Sequence, residues 1–538
     1  MKQVASSAGT SIGAVRIRRA QAYQGGRPPV PLIAAALFAA MLVLLPVAFT
    51  IVQAAGVSAQ DAVDLLLRPL VGRLLVNTIG LVVAASLTSA IIGTTAAWLV
   101  ERTDLPGRQI WAVLAAAPLA IPPFIASYAW VSLSDALQDF GGALLVVTCA
   151  HYPLVYLPVA AALRGLDPAL EDTARSLGQG EWGCFLRVVM PQLRPALFGG
   201  MLLVALDTLI EFGAFVLLRF RTFTTELYAE YRTGLAGPES SLLALVLIAL
   251  CLVCLLAELH VRGHARYARV GGGARRIAAP TRLGWFRWLA LLVFVALTSA
   301  TLGVPLGMIG YWLLQHAQAA ASPVAPSLPL LFSATFASVS YGLAGAAAAL
   351  ILAAPLGYLT TRYPTRWTVI LERIAYLAQG VPGIVVALAF VSLTVQTIRP
   401  LYQSAALLVV AYSILFLPLA LVSVRATLAQ VPQGLEEAAR SLGLGWFAVS
   451  RRVLAPLAGP GIGAGAAMVF VFVATELTAT LLLAPIGTRT LATEVWANTS
   501  SLAFAAAAPF AASMLVISLL CTWLLAHRFG AVTFAGQD

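Results

Sequence analysis

A chain of 538 residues that is 60% hydrophobic and only 10% charged carries more apolar surface than a water-soluble fold needs. Its mean hydropathy of +0.91 instead points to runs of about 20 apolar residues that cross a bilayer. The formal charge of +11 suits nucleic acid on its face, but the arginine positions account for it as membrane orientation. The only lysine is Lys2, which excludes a Gly-Lys-Ser/Thr phosphate loop from the chain.

In chain order, residues 1–29 form a polar tail with Lys2, Arg16, Arg18, Arg19 and Arg27. The apolar run 31–54 is longer than a secretory signal core and reads as an uncleaved first span. Further spans are predicted at 74–100, 110–133, 141–162, 196–218 and 240–260. A basic linker over 262–287, with Gly271, Gly272 and Gly273, follows. Six more spans are predicted at 288–314, 332–360, 367–395, 405–424, 461–483 and 503–525. The predicted fold is an all-α integral membrane protein of about twelve transmembrane helices. Its first half covers 30–261 and its second 288–528, with a tail at 529–538. Five scattered cysteines imply no disulfide framework. Cys251 and Cys254 lie inside a span and read as packing residues.

The positive-inside rule sets the orientation. With the N terminus in the cytoplasm, only Arg68, Arg73, Arg219, Arg221, Arg232, Arg399 and Arg489 of the 33 basic residues fall outside. Both termini are then cytoplasmic. Because six spans is an even number, the two halves share one orientation, as a parallel repeat.

The strongest repeat is polar and cytoplasmic. Residues 170–195 align with 435–460 without a gap, Leu170-Glu171-Asp172-Thr173-Ala174-Arg175-Ser176-Leu177-Gly178 answering Leu435-Glu436-Glu437-Ala438-Ala439-Arg440-Ser441-Leu442-Gly443. Leu170, Ala174 and Leu177, like Leu435, Ala439 and Leu442, fall at helical spacing and make one apolar face. Gly178 and Gly443 sit where glycine ends a helix. A second apolar turn with Phe185, Val188 and Val189 follows, and Pro191 and Pro195 are expected to stop it before the next span. Each copy thus predicts a helix–turn–helix knob.

These residues resemble the EAA loop of binding-protein-dependent ABC importer permeases. The second copy matches through Glu436 or Glu437, Ala438, Ala439, Gly443, Leu454 and Pro456; the first departs at Asp172 and Thr173. The resemblance implies a fused, two-half permease of the type I kind with no enzyme activity of its own. It implies two partner ATP-binding subunits that bind ATP and Mg, and a periplasmic binding protein, with no cofactor or metal held by this chain. The implied docking residues are Glu171, Asp172, Arg175, Gly178, Glu436, Glu437, Arg440 and Gly443, with Glu171 and Glu436 facing basic groups of the motor. The implied location is the bacterial inner membrane, and nucleic acid is not an expected partner.

Charges inside spans are costly, so Asp207, Glu211 and Glu476 are candidates for the substrate pathway, with Tyr128 beside them. The alternative for the acids is hydrogen bonding to helix ends. The stretches Glu211-Phe212-Gly213-Ala214 and Arg221-Thr222-Phe223-Thr224-Thr225-Glu226-Leu227-Tyr228 look like ferric-iron importer permeases, so ferric iron is the expected cargo. Thiamine, phosphonate and polyamine importers share the pattern. An ion-gradient-driven secondary transporter and a non-transporting membrane scaffold are the rival classes.

Overall fold

The computed structural model describes residues 28–233, 237–263, 281–315 and 328–534. Most of the N-terminal tail, residues 264–280 of the linker and residues 535–538 lie outside them. Among the described residues the regular structure is all helical, with one isolated bridge between Thr103 and Thr281. Among the described residues nine helices are long and apolar enough to cross a membrane, or up to twelve spans when each of three bent pairs is counted as one.

In the first half the spans are α1 (Val30–Ala54), α2 (Pro69–Arg102), α3 (Arg108–Ala120 with Pro123–Leu133), α4 (Phe140–Gly165), α5 (Phe185–Ile210) and α6 (Pro238–Glu258). In the second they are α7 (Phe286–Gln315), α8 (Leu328–Arg362), α9 (Arg366–Gly380 with Gly383–Thr397), α10 (Ala405–Leu415 with Leu417–Gln430), α11 (Phe447–Ala474) and α12 (Phe504–Leu524).

Prolines set the bends. The residue before a proline is pushed out of the helical region, and Ile121 (φ −104°, ψ 111°) and Val381 (φ −107°, ψ 113°) adopt nearly the same extended conformation. They break α3 by 94° and α9 by 99°. A third bend, of 56°, precedes Pro418 in α10.

The halves are built alike. In one, α2, α4 and α5 pack mutually; in the other, α8, α10 and α11 do. Small residues permit these crossings, as membrane helices require when lipid offers no hydrophobic drive to associate. The first span of each half crosses to the other: α1 packs on α8 and α9, and α7 on α3. The halves are thereby interlocked.

Two predicted boundaries are corrected. Pro191 and Pro195 do not separate the knob from the next span, because α5 begins at Phe185 and runs through both. A π-helical turn at Phe185–Val189, repeated at Ser450–Leu454 before Pro456 and Pro460, carries the chain into the span. The wider turn shifts the hydrogen-bond register just where a proline has no N–H to give. At the other end α5 stops at Ile210 and α11 at Ala474. Residues 213–217 and 478–483, read as the ends of spans, form the separate short helices Gly213–Leu217 and Thr478–Leu483.

Candidate functional site

The two knobs start with the helices Pro168–Ser176 and Gln433–Ser441. Asp167 caps the first by accepting a hydrogen bond from the Ala169 N–H at 3.0 Å. Both helices end in a left-handed glycine, Gly178 at φ +82° and Gly443 at φ +83°. The following N–H groups reach back to Ala174 and Ala439 carbonyls, which closes a Schellman turn. A Cβ at either glycine would meet nothing within 4 Å, so the turn's conformation, not crowding, requires glycine.

The buried face of these helices is not the one that the leucine spacing marks. Leu177 is 77% exposed and Leu442 82%. The residues turned inward are Glu171 with Ala174, and Glu436 with Ala439. Glu171 and Glu436 therefore do not present their carboxylates to a partner. Glu171 lies 3.0 Å from the Arg102 guanidinium. Glu436 lies 2.7 Å from Arg362 Nε and 2.6 Å from its NH2, and accepts a hydrogen bond from the Tyr358 hydroxyl at 3.0 Å. Arg102 and Arg362, the last residues of α2 and α8, are themselves buried, and a buried guanidinium needs a counter-charge. Each also donates to a backbone carbonyl, Leu163 O at 3.1 Å or Val431 O at 3.0 Å.

Arg175 and Arg440 extend these clusters one helical turn further. Arg175 stands 4.0 Å from Glu171, and Arg440 3.7 Å from Glu436 and 3.0 Å from the Tyr358 hydroxyl. Asp172 and Glu437 point outward with the exposed leucines. Cys184 packs under the first knob with its thiol 3.9 Å from Glu171 O, and burial pushes that thiol up from its usual range.

The acids predicted for the pathway gather at the far ends of α5 and α11. Glu211 accepts from the Ala214 N–H at 2.8 Å, and its carbonyl takes the Thr224 hydroxyl at 2.7 Å. Glu476 accepts from the Thr478 and Ala479 N–H groups at 3.0 and 3.1 Å. Both carboxylates thus cap the short helices that follow them, where a negative charge is favoured. Asp207 lies one turn earlier on α5, its carbonyl bonded by the Glu211 N–H. Tyr128 is fully buried and donates across the halves to Phe504 O at 2.8 Å.

These breaks meet at the contact between halves. A Cβ at Gly213 would lie 2.9 Å from Leu477 Cδ2 of the other half and 2.9 Å from Phe124 Cβ. Phe212 packs on Tyr228 at 4.8 Å and on Trp496 at 5.5 Å, and Tyr228 meets Trp496 edge-to-face at 6.2 Å and 88°. Tyr228 and Trp496 are repeat mates. Arg221-Thr222-Phe223-Thr224-Thr225-Glu226-Leu227-Tyr228 answers Arg489-Thr490-Leu491-Ala492-Thr493-Glu494-Val495-Trp496, and both copies open a helix, Phe223–Arg232 and Leu491–Ser500, with a Thr–Thr capping box. Sequence reading missed this aromatic cluster, although that second repeat was the signal for it.

Acids near this end do not form a cation cage. Asp139 caps Gly142 N–H at 2.7 Å. Burial first, then Glu226 and Glu239, push the Glu230 carboxyl up to about 7 against the pull of Arg68. Among the described residues no three metal-ligating side chains converge.

Interlocked six-span halves, each with a capped knob at one end and a broken helix at the other, define a duplicated membrane permease. The family model for "binding-protein-dependent transport system inner membrane component" matches the chain twice, at residues 89–266 and 349–528. The chain belongs to that family: it is an ABC importer permease of the type I fold and a multi-pass inner-membrane protein. It is 34% identical over 500 residues to the Fe(3+)-transport system permease protein FbpB 2 of Haemophilus influenzae, covering 93% of this chain and 98% of that one. The sulfate transport system permease protein CysT of Escherichia coli matches at 27% identity over 41% of this chain and 87% of its own. The molybdenum transport system permease protein ModB of Escherichia coli matches at 29% over 32% and 85%. Membership removes the gradient-driven and scaffold alternatives.

Proposed function

We propose that this chain is the membrane subunit of a ferric-iron importer, driven by two ATP-binding subunits beneath its knobs and fed by a periplasmic binding protein. The observation that carries the cargo is the 34% identity that runs through 93% of the chain to an Fe(3+) permease. The shorter relatives named for sulfate and molybdenum match only part of it. In this reading both termini and both knobs are cytoplasmic. The motor subunits bind ATP and Mg, and this chain supplies the path. Residues 30–261 and 288–528 act as the two permease halves.

Docking falls to the outward faces of the knobs. Leu177, Leu442 and Phe447 are exposed apolar groups of the knobs, and the acids Asp172 and Glu437 are exposed on the knob helices. Apolar anchors with a charged rim suit a protein partner. Leu177→Asp combined with Leu442→Asp should cut retention of the ATPase subunits on purification by more than about tenfold, since each change places a charge in an apolar contact, while the permease itself stays monodisperse.

The cargo is tested in proteoliposomes holding the permease, its ATPase and the binding protein. Uptake of Fe(3+) that depends on ATP, with sulfate, molybdate, thiamine, a phosphonate and a polyamine giving none, is the expected result. ATP-driven uptake of one of those and none of Fe(3+) would reassign the cargo and leave the class intact.

Pathway roles for Asp207, Glu211, Glu476 and Tyr128 belong to this reading as well. Glu211 and Glu476 cap helices at the contact between halves, so a movement that parts the halves uncovers them. The aromatic cluster of Phe212, Tyr228 and Trp496 is the gate that such a movement opens.

A further inference from the structure

The knob helices are joined to the spans by more than their chain ends. We propose that the buried pairs Arg102–Glu171 and Arg362–Glu436 are the joints that transmit knob movement to α2 and α8, making all four positioning residues for transport. This rests on the importer reading above and adds the route by which force enters the membrane domain.

The geometry favours transmission over simple packing. Each helix that carries a knob acid buries only that glutamate and one alanine, Glu171 with Ala174 and Glu436 with Ala439. The partner arginine is the terminal residue of the longest span in its half, 34 residues for α2 and 35 for α8. Those spans pack along α4 and α5, or α10 and α11, and α5 and α11 lead directly into the breaks at Glu211 and Glu476. A charge pair with both side chains buried has no water to replace either partner. A knob displaced by a motor must therefore pull the end of its span or expose two bare charges.

The joints are unequal. Glu436 holds Arg362 through both Nε and NH2, and Tyr358 and Arg440 close around it. Glu171 faces Arg102 NH1 at 3.0 Å, but its Oε1 lacks an aligned hydrogen bond. Trp98 occupies the place on α2 that Tyr358 holds on α8, and it packs edge-on against Phe185 of the knob at 4.6 Å instead. The first joint has a strap that is not seen at the second among the described residues. Thr281 N–H donates to Arg102 O at 2.8 Å, Asp104 N–H to Thr281 O at 3.2 Å, and Leu283 N–H to Asp104 Oδ1 at 2.8 Å. The segment entering α7 is thus tied to the turn that holds Arg102, and α7 packs on α3. A pull on the first knob reaches both halves, whereas the second is held by the tighter ion pair.

The test uses the complete complex with ATPase and binding protein, and reads substrate imported per ATP hydrolysed. Glu436→Gln should keep the ATPase bound and hydrolysing, yet lower that ratio about tenfold, and Glu171→Gln about threefold, as loss of one partner of a buried pair predicts. The exchanged pair Arg362→Glu with Glu436→Arg should recover at least part of the ratio. Tyr358→Phe, which leaves the ion pair in place, should lower it about twofold and serves if Glu436→Gln fails to fold. An unchanged ratio in Glu436→Gln, or in Tyr358→Phe where the former is not folded, overturns the joint. Wild-type chain that retains no ATPase would instead overturn the importer reading on which it rests.

Discussion

Gly200→Val should abolish most of the folded protein, while Gly199→Val next to it should be close to neutral. Gly200 lies where α5 crosses α4, and a Cβ there would stand 2.8 Å from Leu154 O and Val155 Cα. Both obstacles are backbone, so no rotamer change relieves the contact. The helices must part, and in lipid the close packing of small residues is what holds them. Gly93 of α2 presses on the same stretch from another side, its Cβ position 2.9 Å from Tyr156 N and Val155 Cβ. Separation at one glycine therefore loosens the α2–α4–α5 core as a whole. Overpacking of this kind costs about 3 kcal/mol or more. A Cβ at Gly199 would meet nothing within 4 Å. The check is monodisperse yield in detergent and the thermal midpoint of each variant. Equal behaviour of the two would refute the crossing as described.

Trp496→Ala should move the resting protein toward a state with the halves parted. The indole touches Phe212 and Tyr228 of the first half at 5.5 and 6.2 Å, and it is 8% exposed. Aromatic pairs contribute about 0.5–1.5 kcal/mol each beyond the area they bury. Two lost contacts thus shift the closed-to-open ratio by about tenfold or more. Leu477 against Gly213 remains as a second contact between halves, so closure weakens without vanishing. Spin labels on the helices Phe223–Arg232 and Leu491–Ser500 report the shift as a longer-distance population. In the importer complex proposed above, ATP hydrolysis without binding protein should rise with it. An unchanged distance distribution would mean that the aromatic cluster does not hold the halves together.

Spans, halves and knobs were legible because each depends on local pattern. An apolar run of bilayer length is a span whatever surrounds it. Gly178 and Gly443 stop their helices through backbone conformation alone, and Pro122 and Pro382 impose their bends on the residue just before them. The proline rule failed at Pro191 and Pro195, where a π turn absorbed the missing N–H and the helix continued. That outcome depends on the span pulling the chain onward, which the local sequence does not encode.

What the tertiary structure alone decided was the direction of each polar side chain. Glu171 and Glu437 are both acids on short amphipathic helices, and spacing treats them alike. One is buried and the other exposed because Arg102 and Arg362, 69 and 74 residues before Glu171 and Glu436, end their spans under one face of the knob helix and not the other. The burial of a carboxylate is decided by whether a counter-charge waits there. Tyr228 meets Trp496 for a comparable reason: a duplicated chain brings repeat mates together only once its halves have docked. Local propensity and hydropathy thus determined the parts and their order. The contacts that join those parts, Glu436 with Arg362 or Tyr228 with Trp496, lie between residues far apart in the chain, and only the packed fold brings them within reach.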